Sequence, residues 1–255
     1  MKIITGLFMA WGNFLTIPCP LKKWDRDLKN YMLALLPTVG MILGAIWAAL
    51  CLGLVWLGFP YLVLSFLVTF IPFALCGFMH LDGFMDCCDA IMSRKPLEEK
   101  QLILKDSHCG AFAVVSLVFM LLAYYSFVST AISAGIDFID LCMIPIISRS
   151  VASVNVLLRK PIGHSQYAKG AGAEDRKQKR TAIIIVLIQV IIYCTIGALI
   201  ATYLWPSALV VIVTAIATYL STVFAKRQLG GMSGDIAGFS IVWGELCGIF
   251  AMFIL

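Results

Sequence analysis

Long apolar runs alternate with short polar segments along this chain. Apolar stretches near 20 residues, the length that crosses a hydrocarbon core as a helix, are predicted at 31–57, 60–81, 110–132, 141–158, 181–203, 208–225 and 236–255. Residues 3–18 form an eighth apolar stretch, which contains Gly6, Gly12 and Asn13 and ends in Pro18-Cys19-Pro20. It is read as a helix that spans, re-enters or lies in the interface. A cleaved signal peptide is not expected, because Lys2 is the only charge ahead of the run and no small-x-small pattern follows. The predicted fold class is all-α: a polytopic helical membrane protein with about seven transmembrane helices plus the N-terminal apolar helix, forming one integral membrane domain over residues 1–255.

Composition agrees. Hydrophobic residues make up 61% of the chain and charged ones 13%, against about 25% charged in a soluble domain, and mean hydropathy is +0.96. The basic residues are confined to alternate loops. Lys22, Lys23, Arg26 and Lys29 share one; Arg94, Lys95, Lys100 and Lys105 another; Arg159, Lys160, Lys169, Arg176, Lys177, Lys179 and Arg180 a third; Lys226 and Arg227 a fourth. The intervening loops carry no Lys or Arg. The positive-inside rule makes the four basic loops cytoplasmic. They also account for the net charge of +5, and the run Arg176–Arg180 reads as a topology signal and lipid contact rather than a substrate clamp. The loop Arg159–Arg180, with Gly163, Ser165, Tyr167, Gly170 and Gly172, is predicted to be mobile. No loop interleaves a basic stripe with aromatics, so nucleic acid is not an expected partner; the lipid bilayer is.

Against this background one segment is out of place. His80-Leu81-Asp82-Gly83-Phe84-Met85-Asp86-Cys87-Cys88-Asp89 puts aspartates at i, i+4 and i+7 where an apolar run ends. On a helix these lie within roughly 60° of one another. Like charges at that spacing repel, and each ionised aspartate at membrane depth costs roughly 2.5–3.5 kcal/mol unless it meets water or a partner. A cation for them to hold resolves both costs, and oxygen-only ligands point to Mg²⁺. Asp82, Asp86 and Asp89 are the candidate metal ligands. Of nine cysteines, five stand singly in apolar spans, where cysteine acts as a small hydrophobe. Cys87, Cys88 and Cys109 lie near His80 and His108, but neither C-x-x-C nor H-x3-H spacing supports zinc.

Further candidates are spread along the chain. In Lys105-Asp106-Ser107-His108-Cys109-Gly110, Asp106 or Ser107 is expected to N-cap the following span, with a role for Asp106 in the site as the alternative. Gly230-Gly231-Met232-Ser233-Gly234-Asp235 suits either an oxyanion at a helix start or a plain turn capped by Asp235. Arg149 and Glu245 interrupt apolar stretches. Either they pair with each other, or Arg149 faces a phosphate while Glu245 faces the metal or organises a basic residue.

With these residues in view, the chain resembles the cobalamin synthase family, the adenosylcobinamide-GDP ribazoletransferases. The resemblance rests on His80–Asp89, on Lys105–Phe112, on Pro37-Thr38-Val39-Gly40 with Gly44, on Ser148-Arg149, and on Gly230–Asp235 followed by Glu245. Departures are Ala90 in place of a frequent glycine, Ser233 in place of threonine, and an N-terminal Thr16-Ile17-Pro18-Cys19-Pro20 without the arginine many members carry. The resemblance implies a Mg²⁺-dependent enzyme of the prokaryotic cytoplasmic (inner) membrane, its active site facing the cytoplasm. It would join adenosylcobinamide-GDP to α-ribazole or α-ribazole phosphate, giving adenosylcobalamin or its phosphate and GMP. On that reading Asp82 is the first candidate for general base and His80 a second. Arg94, Lys105 and Arg149 are candidates for the GMP phosphate, and Asp106, Asp235 and Glu245 complete the polar surround. A homo-oligomer is compatible with the sequence, which fixes neither the oligomeric state nor the number of ions. Two rivals are weighed. A CDP-alcohol phosphotransferase would need Ala-Arg where Asp86-Cys87 stands, and a cation transporter would spread its charges through several spans.

Overall fold

The computed structural model describes residues 1–163 and 173–254; Ser165, Tyr167, Gly170 and Gly172, predicted above to be mobile, lie outside them. The described residues form helices α1 (Lys2–Phe14), α2 (Lys29–Ala34), α3 (Leu36–Trp56), α4 (Tyr61–Leu75), α5 (Met79–Met92), α6 (Leu97–Ile103), α7 (Ala111–Ala134), α8 (Phe138–Leu158), α9 (Ala173–Ile200), α10 (Leu204–Leu229) and α11 (Gly234–Ala251). Six are long and apolar enough to cross a membrane: α3, α7, α8, α9, α10 and α11. The bent pair α4–α5 makes a seventh if the two halves are taken as one. At 1.5 Å per residue α1 is only about 20 Å long, too short to cross on its own.

Burial sorts the spans. Helices α8 and α11 are 78% and 67% buried over their apolar windows, whereas α9 is 11% buried. The first two therefore form the centre of the bundle and α9 presents most of its surface to lipid. Helix α3 packs closely along α8 because Gly40 and Gly44 carry no side chain: a Cβ at Gly40 would stand 2.4 Å from the Pro145 carbonyl oxygen, and one at Gly44 2.7 Å from Cys142 Cα. Small residues at such a crossing let backbones approach where no hydrophobic effect drives helices together.

The expected span 60–81 is the element that the structure corrects. The helix stops at Leu75, and α5 leaves at 88° to α4. Gly77 (φ 59°) and Phe78 (φ 60°) are both left-handed. Phe78 N–H donates to Phe73 O at 2.9 Å and Gly77 N–H to Ala74 O at 3.0 Å, the paired bonds of a Schellman ending. A helix ending leaves carbonyls without intrahelical partners. The segment after α1 supplies donors: Thr16 N–H donates to Leu75 O at 2.9 Å, and its hydroxyl reaches Ala74 O and Leu75 O at 3.2 Å. The expected long loop from Asp82 is likewise helical as far as Met92 and again over α6.

The basic segments gather at one end of the bundle. Asn30 Nδ2 bonds to Asp175 at 2.9 Å, Lys100 Nζ to Gln228 Oε1 at 2.8 Å, and Pro161 pairs with Met232 as a short parallel bridge. At the opposite end Asp137 caps α8 and accepts from Thr202 N–H at 3.0 Å. Helix α5 lies at the basic end.

Candidate active site

Helix α5 is amphipathic in an unusual sense. Leu81, Phe84, Cys87 and Cys88 are buried, Asp82 is exposed and Asp86 half-buried. The helix approaches α11 through Gly83, where a Cβ would sit 2.8 Å from Asp235 Cα. Only glycine allows this contact, and the contact carries Asp235 from the far end of the chain to the aspartates of α5. Asp86 experiences the charges of Asp82, Asp235 and Asp89.

Asp82 and Asp235 line a cavity of about 270 Å³ together with His80, Arg149 and Asn13. His80 Nε2 and Arg149 Nε are buried and have no hydrogen-bond partner among the described residues. A buried polar group left unpaired costs about 1–3 kcal/mol, so two of them beside one cavity favour a polar occupant there.

Arg149 and Glu245 pair with each other. They are 2% and 3% exposed, and Arg149 Nη1 donates to Glu245 Oε1. Ser148 Oγ donates to the same carboxylate oxygen at 3.0 Å, while Arg149 Nη2 lies 3.3 Å from Cys76 Sγ. Of the alternatives open in the sequence, Glu245 thus organises a basic residue rather than facing a metal. Arg149, though paired, still borders the cavity that holds Asp82.

Asp89 is bound differently from its two partners in the motif. Its Oδ2 accepts from Gly110 N–H at 2.6 Å and its Oδ1 from Ala113 N–H at 2.9 Å. It therefore caps α7, the task expected of Asp106 or Ser107. Asp106 instead closes its own turn, accepting from His108 N–H at 3.0 Å and contacting His108 Nδ1 at 2.6 Å; these bonds hold its carboxyl below the usual carboxylate range. At the start of α11 the cap is Ser233, not Asp235. Arg94, Lys105 and Asp106 are exposed, and none of them lines the cavity with Asp82.

No group of three His, Cys, Asp or Glu among the described residues forms a ready metal site. The donor set still suits Mg²⁺, which is typically held by one or two carboxylates plus substrate phosphates rather than by an all-protein cage. Asp82 and Asp86 are accessible, oxygen-only donors whose mutual repulsion a divalent ion relieves.

Comparison with known proteins agrees with this picture. The sequence profile of the cobalamin-5-phosphate synthase family matches residues 6–253. The chain belongs to that family. A protein of Clostridium perfringens (strain 13 / Type A) named adenosylcobinamide-GDP ribazoletransferase is 34% identical over 260 residues, covering 100% of both chains. One of the same name from Clostridium botulinum (strain Alaska E43 / Type E3) is 32% identical over 98% of this chain and 97% of its own, and one from Geobacillus kaustophilus (strain HTA426) is 27% identical over 94% and 92%. No solved structure matches the chain. The family assignment decides against both rivals weighed from the sequence.

Proposed function

We propose that this protein is an adenosylcobinamide-GDP ribazoletransferase that joins adenosylcobinamide-GDP to α-ribazole or α-ribazole phosphate and releases GMP. The observation that carries the reading is the meeting of Asp82 with Asp235 at one polar cavity, with Asp86 one turn further along α5, in a chain that matches this family over nearly its whole length. The basic end of the bundle, where this cavity lies, would face the cytoplasm of a prokaryotic cell.

The reaction is displacement at phosphorus. A hydroxyl oxygen of the ribazole attacks the phosphorus attached to the cobinamide side chain, and the bond from that phosphorus to the GMP oxygen breaks. Asp82 lies in the cavity and takes the hydroxyl proton. Arg149, kept charged and fixed by Glu245, presents positive charge to the phosphate oxygens as negative charge shifts towards the leaving GMP. His80 offers Nε2 to the same polar occupant. Asp82 and Asp86, with Asp235 beside them, would hold Mg²⁺, which when bound neutralises the pyrophosphate. Asp89 acts through structure, fixing α5 against the start of α7 so that Asp82 and Asp86 keep their direction.

The test uses the purified protein in phospholipid vesicles with adenosylcobinamide-GDP, α-ribazole and Mg²⁺. GMP release that needs both α-ribazole and the metal is expected, with one corrinoid product formed per GMP. Release independent of α-ribazole, or none at all, overturns the proposal.

A further inference from the structure

A second cavity, of about 350 Å³, lies between α2, the end of α8 and the start of α9. It shares Leu33 and Val156 with the cavity that holds Asp82, so the two adjoin at these side chains. Its lining is charged in both senses. Arg26, Lys29, Arg159 and Lys179 face Asp27, Glu174 and Asp175. Asp175 is already answered, accepting from Lys179 Nζ and Asn30 Nδ2, each at 2.9 Å.

Arg159 is held differently. Its Nε donates to Asn155 Oδ1, and its guanidinium carbon lies 5.4 Å from the centre of the Tyr219 ring. These contacts fix the plane of the fork, while its terminal nitrogens have no acceptor among the described residues. A guanidinium fixed in this way is pre-organised for a two-pronged oxyanion. The segment that follows is tied to the turn before α11: Met232 N–H donates to Lys160 O at 2.9 Å and Ile162 N–H to Met232 O at 3.0 Å. Asp235 leaves that turn three residues later, so one backbone bridge sets the spacing between Arg159 and the acidic site.

We propose that this cavity receives the phosphomonoester end of the acceptor nucleoside, and that Arg159 is the residue that favours a phosphorylated acceptor over an unphosphorylated one. The inference rests on the reaction proposed above. Until it departs, the phosphate of the leaving nucleotide is bonded to the reacting phosphorus, so it must lie at the aspartates rather than in the second cavity. A phosphate on the acceptor is a separate dianion. It is repelled by the carboxylates and needs cations of its own, one cavity away. Asp27 and Glu174 suit the sugar hydroxyls that accompany such a phosphate.

The experiment compares KM for α-ribazole and α-ribazole phosphate in the full-length protein in vesicles, wild type against Arg159→Gln. The ratio of the phosphorylated to the unphosphorylated KM is expected to rise about tenfold in the variant, with Arg159→Lys restoring part of the difference. In the wild type, inorganic phosphate should compete with α-ribazole phosphate. If Arg159→Gln does not fold, Arg26→Gln at the exposed rim should move the same ratio about threefold. An unchanged ratio, or a shift confined to the KM of adenosylcobinamide-GDP, overturns the proposal and leaves the reaction standing. A wild type that releases no GMP with either acceptor overturns both.

Discussion

Glu245 and the aspartates of α5 are carboxylates in the same apolar bundle, and the fold treats them in opposite ways. Glu245 is enclosed, with a guanidinium and a hydroxyl donating to one of its oxygens. Asp82 lines an open cavity with Asp235, Asp86 follows one turn along α5, and neither Asp82 nor Asp86 has a basic partner among the described residues. Glu245 is answered without a ligand, while Arg149 keeps Nε unpaired beside the cavity. Breaking such a pair from one side is costly, because it strands the other charge. The open group is strained by its own charge until something positive arrives. An enclosed carboxylate therefore marks structure here, and accumulated like charge at a cavity marks chemistry.

The sharpest way to break this comparison is to neutralise the open group. Asp82→Asn and Asp86→Asn should each lower the rate of GMP release by about 10²–10³-fold, the scale of losing one electrostatic stabiliser of a transition state. The melting temperature should hold or rise, since a repulsion is removed. Mg²⁺ should raise the melting temperature of the wild type and not that of the double variant. An active double variant would end the metal assignment.

Glu245→Gln should do the reverse and act first on stability, with a loss of about 3–5 kcal/mol in unfolding measurements. The double variant Arg149→Met/Glu245→Met should recover much of that stability but little turnover, because Arg149 borders the cavity. Recovery of both would make the pair purely structural.

Asp89→Ala falls between the two groups. Losing the cap of α7 should cost about 0.5–2 kcal/mol, read by thermal unfolding, with turnover reduced less than by Asp86→Asn. The smallest effect belongs to Asp106→Asn. The carboxyl of Asp106 is depressed, so its bond to His108 contributes above the usual carboxylate pKa and is lost only as pH falls through the lowered value. At neutral pH that contribution is present but small because the pair is exposed, so the variant should leave both turnover and melting temperature nearly unchanged.

The sequence carried the spans well, because hydropathy over 20 residues is a local pattern; it showed three aspartates over about two helical turns but not that Asp89 turns to cap α7. It carried the break at Gly77-Phe78 poorly. That step is written in backbone angles, and both residues continue an apolar run. The choice between Arg149–Glu245 pairing and two separate roles needed the distance between α8 and α11, which spacing along the chain does not encode. The cap on α7 went to Asp89 because α5 stays helical and passes beside Gly110. Arg159 and Lys179 read as orientation signals because their loops were rich in cations; only the lining shared at Leu33 and Val156 brings them next to the acidic site.

The elbow between α4 and α5 has a consequence for biogenesis. Thr16, which seals the exposed carbonyl of Leu75, is made 59 residues earlier. The kink is thus completed from upstream, by a stretch already translated when α4 emerges. Until that stretch folds back, the carbonyl of Leu75 lacks the donor that the finished fold gives it, and its docking orders the assembly of the domain.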